Sequence, residues 1–340
     1  MWLYVIIGLL TVALLYWIFS KRILAQRVYK IQNFSYKSFD NIEEPVNFSI
    51  TTYNTLADMY TQFHSYAKPK YRDFSYRLSL FKSIFNELNS DFFALQEVDK
   101  YPEFKSYFSS IGYRSVFIER GSAKFRDGLV LAWKANKYLQ IESKRIDYNN
   151  HWKCQTNRSY KRDGIGFIAV FKEKLSKRHL AIACTHFYWD PEFEYVQYAQ
   201  AGILIDELIK LKHQYDCPAV VCGDCNSTPS SNVVNLFYGK LWKATGNQEI
   251  DQELESLGIK PQIQFRSAYE RYEGKEHPKF TNFTDNFKGC IDFVFHTYEI
   301  KPKRILMLPS EEEIAREIAI PNREFPSDHL PLKVEFSFIE

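Results

Sequence analysis

The chain has no surplus of charge of either sign. Against 44 lysines and arginines stand 41 aspartates and glutamates, a formal balance of +3 over 340 residues. General electrostatic attachment to nucleic acid is thereby excluded as the basis of its function, so any polyanion must be gripped locally. There is no internal repeat and no low-complexity tract, and no segment requires disorder. A disulfide framework is absent as well: the six cysteines, Cys154, Cys184, Cys217, Cys222, Cys225 and Cys290, are scattered through apolar runs. Reduced thiols in a cytosolic compartment follow from that spacing. Cys222-Gly-Asp-Cys225 has the interval of a redox or zinc motif, but neither a second cysteine pair nor a histidine pair completes four ligands.

What is present is a globular composition, 45% hydrophobic and 25% charged, long enough for one large domain or two small ones. The 28 phenylalanines and 23 tyrosines are read mainly as core. Trp2 to Phe19 is an uncharged apolar run whose 18 residues span roughly 27 Å as a helix, close to a hydrocarbon core. Nothing basic precedes it, while Lys21, Arg22, Arg27 and Lys30 follow, which predicts an uncleaved anchor over residues 1–20 and a juxtamembrane linker over 21–45. The basic flank puts the remainder, 46–340, on the cytosolic face of a membrane, either endoplasmic reticulum or mitochondrial outer membrane. Asn226-Ser-Thr is a glycosylation sequon inside a stretch read below as catalytic, which also argues against a luminal domain.

From Asn47 onward, short β-rich runs end in polar residues. The predicted strands are Phe48–Asn54, Phe92–Glu97, Gly128–Lys134, Gly164–Phe171, His179–His186, Ala219–Asp224, Ile291–Phe295 and Leu332–Phe338. Helical periodicity covers Tyr76–Leu88 and Tyr195–Tyr215. Many strands mixed with helices suit a layered α/β sandwich of two sheets covered by helices. A basic stretch, Lys144, Arg145, Lys153, Arg158, Lys161 and Arg162, reads either as a solvated loop or as a phosphate track.

Five polar clusters stand at strand ends: Tyr53-Asn54-Thr55-Leu56, Leu95-Gln96-Glu97-Val98-Asp99, Cys184-Thr185-His186, Gly223-Asp224-Cys225-Asn226-Ser227 and Ser327-Asp328-His329. Asp292 interrupts a further apolar run. Phosphodiester cleavage needs a hard cation, an activated water and a proton acceptor. Glu97, Asp224, Asn54 and Asn226 offer oxygen ligands suited to Mg²⁺, and an oxygen-rich set argues against zinc. His329 offers the base, and Asp292 would orient its ring if the two meet.

In this order the motifs resemble the endonuclease/exonuclease/phosphatase superfamily over about residues 46–338. The resemblance implies a DNase I-like four-layer sandwich of two mixed sheets flanked by helices. It also implies one or two Mg²⁺ ions, replaceable by Mn²⁺, with Glu97 as principal ligand, Asn54 nearby, and Asp224 with Asn226 holding a second metal or positioning water. His186 would contact the scissile phosphate, Asp292 would pair with His329, and Asp328 would support the metal site.

Finer motifs narrow the resemblance. Tyr76-Arg77, Thr185-His186-Phe-Tyr-Trp189-Asp190-Pro191, Phe280-Thr281-Asn282-Phe283-Thr284, Phe287-Lys288-Gly289 and Pro321 to Leu332 are similar to the carbon-catabolite-repressor type of poly(A) ribonuclease, a group that includes nocturnin and Angel. That likeness implies a 3′-to-5′ RNA exonuclease, a hydrolase releasing 5′-nucleoside monophosphates from single-stranded 3′ ends. Pro191 and Phe287 would sandwich an adenine, with Trp189 and Arg77 also on the substrate side. The alternative is a nocturnin-like phosphatase or phosphodiesterase acting on an adenine dinucleotide. A sphingomyelinase-type lipid phosphodiesterase and an inactive RNA-binding scaffold rank lower. No repeat domain for recruitment to a deadenylase complex is present in the sequence.

Overall fold

A computed structural model describes residues 35–39, 45–121, 126–151, 161–244, 246–270 and 277–339. Strand β2 (Phe48–Asn54) hydrogen-bonds in parallel with β3 (Phe92–Gln96), which is followed through antiparallel pairings by β5 (Gly128–Lys134) and β4 (Tyr113–Glu119). On its other side β2 is flanked by β15 (Leu332–Phe338), then β14 (Ile300–Leu306) and β1 (Tyr36–Ser38). The second sheet runs β10 (Arg266–Ser267), β13 (Asp292–His296), β9 (Ala219–Asp224), β8 (His179–His186), β7 (Ile165–Glu173) and β6 (Tyr138–Ile146), with β8 and β9 parallel. A small ribbon, β11 (Asn282–Phe283) and β12 (Lys288–Gly289), stands apart.

The central strands read as continuous apolar runs because both of their faces are covered. In β3, Phe92 and Ala94 point toward the second sheet, while Phe93 and Leu95 meet helices on the outside. β8 and β9 divide in the same way: Ile182, Cys184, Val220 and Cys222 enter the core between the sheets, and Ala181, Ala183, Ala219 and Val221 face outward. Helix α1 (Phe74–Leu88) covers the first sheet through Phe81, Ile84, Phe85 and Leu88. Asp73 caps it by accepting from the Tyr76 amide, and Asn89, in the left-handed region, ends it. Helix α2 (Tyr101–Ser110) lies on the same layer, and α3 (Glu194–Tyr215) covers the second sheet. The result is the expected order of helix, sheet, sheet, helix.

The single-pass membrane location expected from the N-terminal run does not stand. Among the described residues no helix is long and apolar enough to cross a membrane. The longest described helix, α3, carries Asp206, Glu207, Lys210 and Lys212. The run over residues 2–19 and most of the linker after it lie outside the described residues.

The Cys222/Cys225 pair is also resolved. Cys222 sits between the sheets and Cys225 in the outer core beneath α3, so the two thiols belong to different layers. Burial holds both well above the ordinary thiol range.

Candidate active site

Two parallel strand pairs, one from each sheet, end at the same place. Asn54 closes β2 beside Gln96 at the end of β3, and His186 closes β8 beside Asp224 at the end of β9. β13 runs antiparallel to β9 and begins with Asp292 opposite Asp224. Polar side chains from both sheets therefore converge where each sheet runs out of strand.

Backbone geometry turns these residues inward. Glu97 has φ +56° and Asn226 φ +47°, left-handed conformations that cost a non-glycine residue of order 1–3 kcal/mol and concentrate at functional sites. Gly223, with φ +143°, lies so close to β8 that a Cβ would sit 2.1 Å from the Thr185 carbonyl oxygen. Gly223→Ala is expected to destabilise the chain by about 2–6 kcal/mol, the sum of backbone strain and overpacking. A shift in urea midpoint corresponding to less than about 1 kcal/mol would show that β9 can move away.

Asn54 joins the two sheets. Its Nδ2 donates to Glu97 Oε1 and to Asp224 Oδ2, both at 3.0 Å, while its Oδ1 accepts from the Leu56 amide at 3.0 Å. The amide thus faces the two carboxylates through its nitrogen, and its oxygen is engaged by the backbone after β2. Ala57 N donates to the other Glu97 oxygen at 3.1 Å. Asn226 donates from its backbone to Asp224 Oδ1 at 2.9 Å and from Nδ2 to the Phe187 carbonyl at 3.0 Å.

His329 Nδ1 lies 2.8 Å from Asp292 Oδ2, and the same Asp292 oxygen accepts from Thr281 Oγ1 at 2.6 Å. The far nitrogen of the ring, Nε2, is 3.6 Å from Asp224 Oδ2. On the opposite side His186 Nε2 is 3.7 Å from Asp224 Oδ2 and 3.9 Å from Glu97 Oε1. Atoms able to hold a metal from Glu97, His186 and Asp224 lie within 4.8 Å of one another, as do those from Asp224, Asp292 and His329. Asp328 belongs to neither group. His64 Nε2 and Asn282 Nδ2, each at 3.2 Å, engage its Oδ2, so it stands behind the ligand set.

The electrostatics fit a cation. Burial, then the neighbouring Asp292 charge, pushes the Asp224 carboxyl up to about 7 despite the opposing pull of His329. Burial followed by Asp328 and Asp127 raises Glu97. Burial acts against the charged form of Asp328 too, but His329 and His64 hold its carboxyl well below the usual range. For His329, burial favours the neutral ring, yet Asp292, Asp328 and Asp224 together raise it well above an ordinary histidine. His186 is held well below that value by burial and by Arg120. Crowded, buried carboxylate oxygens with too little positive charge among them are the donor set a hard divalent cation satisfies.

The expected substrate-side residues divide. Arg77 does not reach substrate: its side chain is buried, with Nε donating to the Pro326 carbonyl at 2.7 Å and Nη2 to the Thr55 and Leu56 carbonyls. It ties α1 to the two loops that carry Asn54 and Asp328, and its conversion from binding to scaffold is a correction. Trp189 and Phe287 are 67% and 44% exposed, and Pro191 begins a one-turn helix capped by Asp190. Phe287 sits at the tip of the β11–β12 ribbon, its amide donating to Thr284 Oγ1 at 2.9 Å and its ring lying over Gly289. The ribbon meets the site through a bridge between Asn282 and His329.

The basic stretch divides as well. Lys144 lies on β6 and pairs with Glu207, Arg162 stacks 4.8 Å from the Phe193 ring centroid, and Lys153 and Arg158 fall outside the described residues. Sequence reasoning missed His64, Arg120 and Asp127. Arg120 donates to His186 Nδ1 at 2.8 Å and pairs with buried Asp127 at 2.6 Å. The only prior signal was Asp127-Gly128, a charged residue opening an apolar strand.

Comparison with known proteins agrees with this arrangement. The description of the Endonuclease/Exonuclease/phosphatase family matches residues 51–329. Carbon catabolite repressor protein 4 homolog 4 of Arabidopsis thaliana is 29% identical over 333 residues, covering 86% of this chain and 78% of that protein. A probable CCR4-Not complex 3′-5′-exoribonuclease subunit of Vairimorpha ceranae is 31% identical, covering 86% of this chain and 64% of its own length. In the Kluyveromyces lactis counterpart the match spans 41% of the relative. Among solved structures, ANGEL2, a 2′,3′-cyclic phosphatase, superposes with a TM-score of 0.78 at 20% identity, covering 90% of this chain and 98% of that one. The human nocturnin catalytic domain gives 0.68 at 20% identity, with 90% and 98% covered. The chain belongs to the Endonuclease/Exonuclease/phosphatase family, a hydrolytic enzyme that is similar in sequence to the carbon-catabolite-repressor proteins and in fold to ANGEL2 and nocturnin.

Proposed function

We propose that the chain is a Mg²⁺-dependent 3′-to-5′ exoribonuclease that removes 5′-nucleoside monophosphates from single-stranded, adenosine-rich RNA. The observation that carries this reading is the His329–Asp292 pair, 2.8 Å apart, directed at Asp224 in a nest of buried carboxylates. Asp292 fixes the ring by its Nδ1 and leaves Nε2 to accept a proton from water attacking phosphorus. Thr281 holds Asp292 in place by the 2.6 Å hydrogen bond. Glu97 and Asp224 would hold the cation, with Asn226 beside them. When bound, the cation neutralises charge developing on the phosphate and offsets the carboxylate field that keeps His329 protonated. His186 approaches the same space from the other side.

Exposed Phe287 and Pro191, on turns capped by Thr284 and Asp190, support an adenine clamp outside the chemical centre. Phe287→Ala should reduce the preference for oligo(A) over other homopolymers by about 1–3 kcal/mol, one stacking contact, and leave hydrolysis of an unspecific phosphodiester in place. Equal losses on every homopolymer would mean that Phe287 only supports the ribbon.

The test of the whole reading is incubation of the purified chain and Mg²⁺ with 5′-labelled oligo(A), mixed RNA, DNA, an adenine dinucleotide and sphingomyelin. A ladder shortening from the 3′ end of RNA is expected. Turnover of the dinucleotide alone would replace the exonuclease with the small-molecule reading.

A further inference from the structure

Arg120 and His186 meet in a geometry that admits one arrangement of hydrogens. Arg120 Nη2 lies 2.8 Å from His186 Nδ1, and a guanidinium has donors only. Nδ1 is therefore the acceptor, the ring is neutral, and its one N–H is on Nε2. That atom faces Asp224 Oδ2 and Glu97 Oε1 at 3.7 and 3.9 Å, the side on which cation and phosphate belong.

The guanidinium is committed to this task. Its Nε lies 3.2 Å from both Asp127 oxygens and its Nη2 lies 2.6 Å from Oδ2. Asp127 is fully buried and accepts from the Tyr60 hydroxyl at 3.3 Å, while the Arg120 side chain is 8% exposed. With the Nε/Nη2 edge of the planar fork gripped by a carboxylate, the second Nη2–H is held in one direction. That direction is His186.

We propose that Arg120, clamped by Asp127, is a positioning residue that fixes His186 as a neutral Nε2–H donor to a phosphoryl oxygen of the substrate. An Nε2–H has no lone pair to give a cation, so His186 is removed from the ligand set and Glu97 and Asp224 are left as its carboxylates. The reaction's proton passes through His329 alone. The identity of the acceptor rests on the phosphodiesterase reading above; the tautomer does not.

Two measurements separate these levels. In the full chain labelled with ¹⁵N-histidine, long-range ¹H–¹⁵N correlation at neutral pH should show His186 with a bare Nδ1 and a protonated Nε2, assigned by its loss in His186→Gln. An Nδ1–H signal in the unmodified protein overturns the proposal whatever the activity. The second measurement is a double-mutant cycle in Mg²⁺-dependent hydrolysis of oligo(A). Arg120→Leu should lower kcat by about 10²-fold, the scale for losing one preorganised donor, with KM little changed. His186→Ala should do the same, and the double variant should be no worse than His186→Ala alone. Multiplying losses would overturn the proposal, since they would place Arg120 outside the action of His186. Because Arg120→Leu leaves Asp127 buried and unpaired, Arg120→Leu/Asp127→Leu is measured beside it. If the unmodified chain hydrolyses none of these substrates, the phosphodiesterase reading fails and the acceptor with it, while the spectrum still decides whether Arg120 fixes the ring.

Discussion

Replacing His329 with alanine is expected to lower kcat for phosphodiester hydrolysis by about 10²–10⁴-fold, the range that a positioned proton acceptor contributes. The fold should survive, because the ring is held by hydrogen bonds at a strand entrance and contributes to none of the apolar clusters. Asp292→Asn should follow in the same direction. An asparagine oxygen can still accept from Nδ1–H, but the charge that stabilises the imidazolium is gone, so kcat falls while KM holds. Steady-state kinetics on both variants, with circular dichroism to verify folding, decides the matter. Near-normal turnover in His329→Ala would remove this histidine from the chemistry altogether.

The second large effect concerns the carboxylates. With Mg²⁺ present, Glu97→Gln and Asp224→Asn should each lower turnover by about 10³-fold or more, since several kcal/mol of transition-state stabilisation depend on the cation they hold. Stability should move the opposite way in the metal-free protein. Glu97 and Asp224 are both shifted up chiefly by burial, so the folded state penalises their ionised forms at neutral pH. A neutral amide relieves that penalty, and each variant should unfold at a temperature no lower than the parent when chelator is present. Added Mg²⁺ at about 100 times its Kd should stabilise the parent by about 2.7 kcal/mol and the variants much less. Retention of the full Mg²⁺-induced shift in Glu97→Gln would assign the cation to other residues.

Much of the architecture was legible because the central strands carry apolar residues on both faces. Five predicted strands, Phe48–Asn54, Gly128–Lys134, His179–His186, Ala219–Asp224 and Leu332–Phe338, coincide with β2, β5, β8, β9 and β15. The edge of the second sheet was not legible. β6 ends in Glu142-Ser-Lys-Arg-Ile146, and the half-exposed Lys144 side chain reaches Glu207 on α3. At an edge one face and one row of amides meet water, so charge is tolerated and the strand signal fades. β14 was hidden by Pro302, where the register with β15 shifts.

The candidate site was legible where a polar residue ends an apolar run, as at Glu97, His186 and Asp224. It was illegible where a residue acts through others. His64 engages Asp328 across 264 positions, and Arg120 looks in sequence like any charged residue at the close of a strand. Arg77 goes the opposite way: an arginine within a recognisable motif reads as a binding group, although its Nε and Nη2 donate to three backbone carbonyls.

β15, formed from residues 332–338, lies between β14 and β2 in the middle of the first sheet, and His329 enters directly before it. One short stretch of chain therefore carries both a strand of the interior and the residue proposed as proton acceptor. A chain halted between residues 292 and 329 has Asn54, Glu97, Asp224 and Asp292 but leaves β2 with a bare flank and no imidazole at Asp292. Such a chain lacks both that strand and the residue proposed as proton acceptor, so termination there is expected to yield a product without hydrolytic activity.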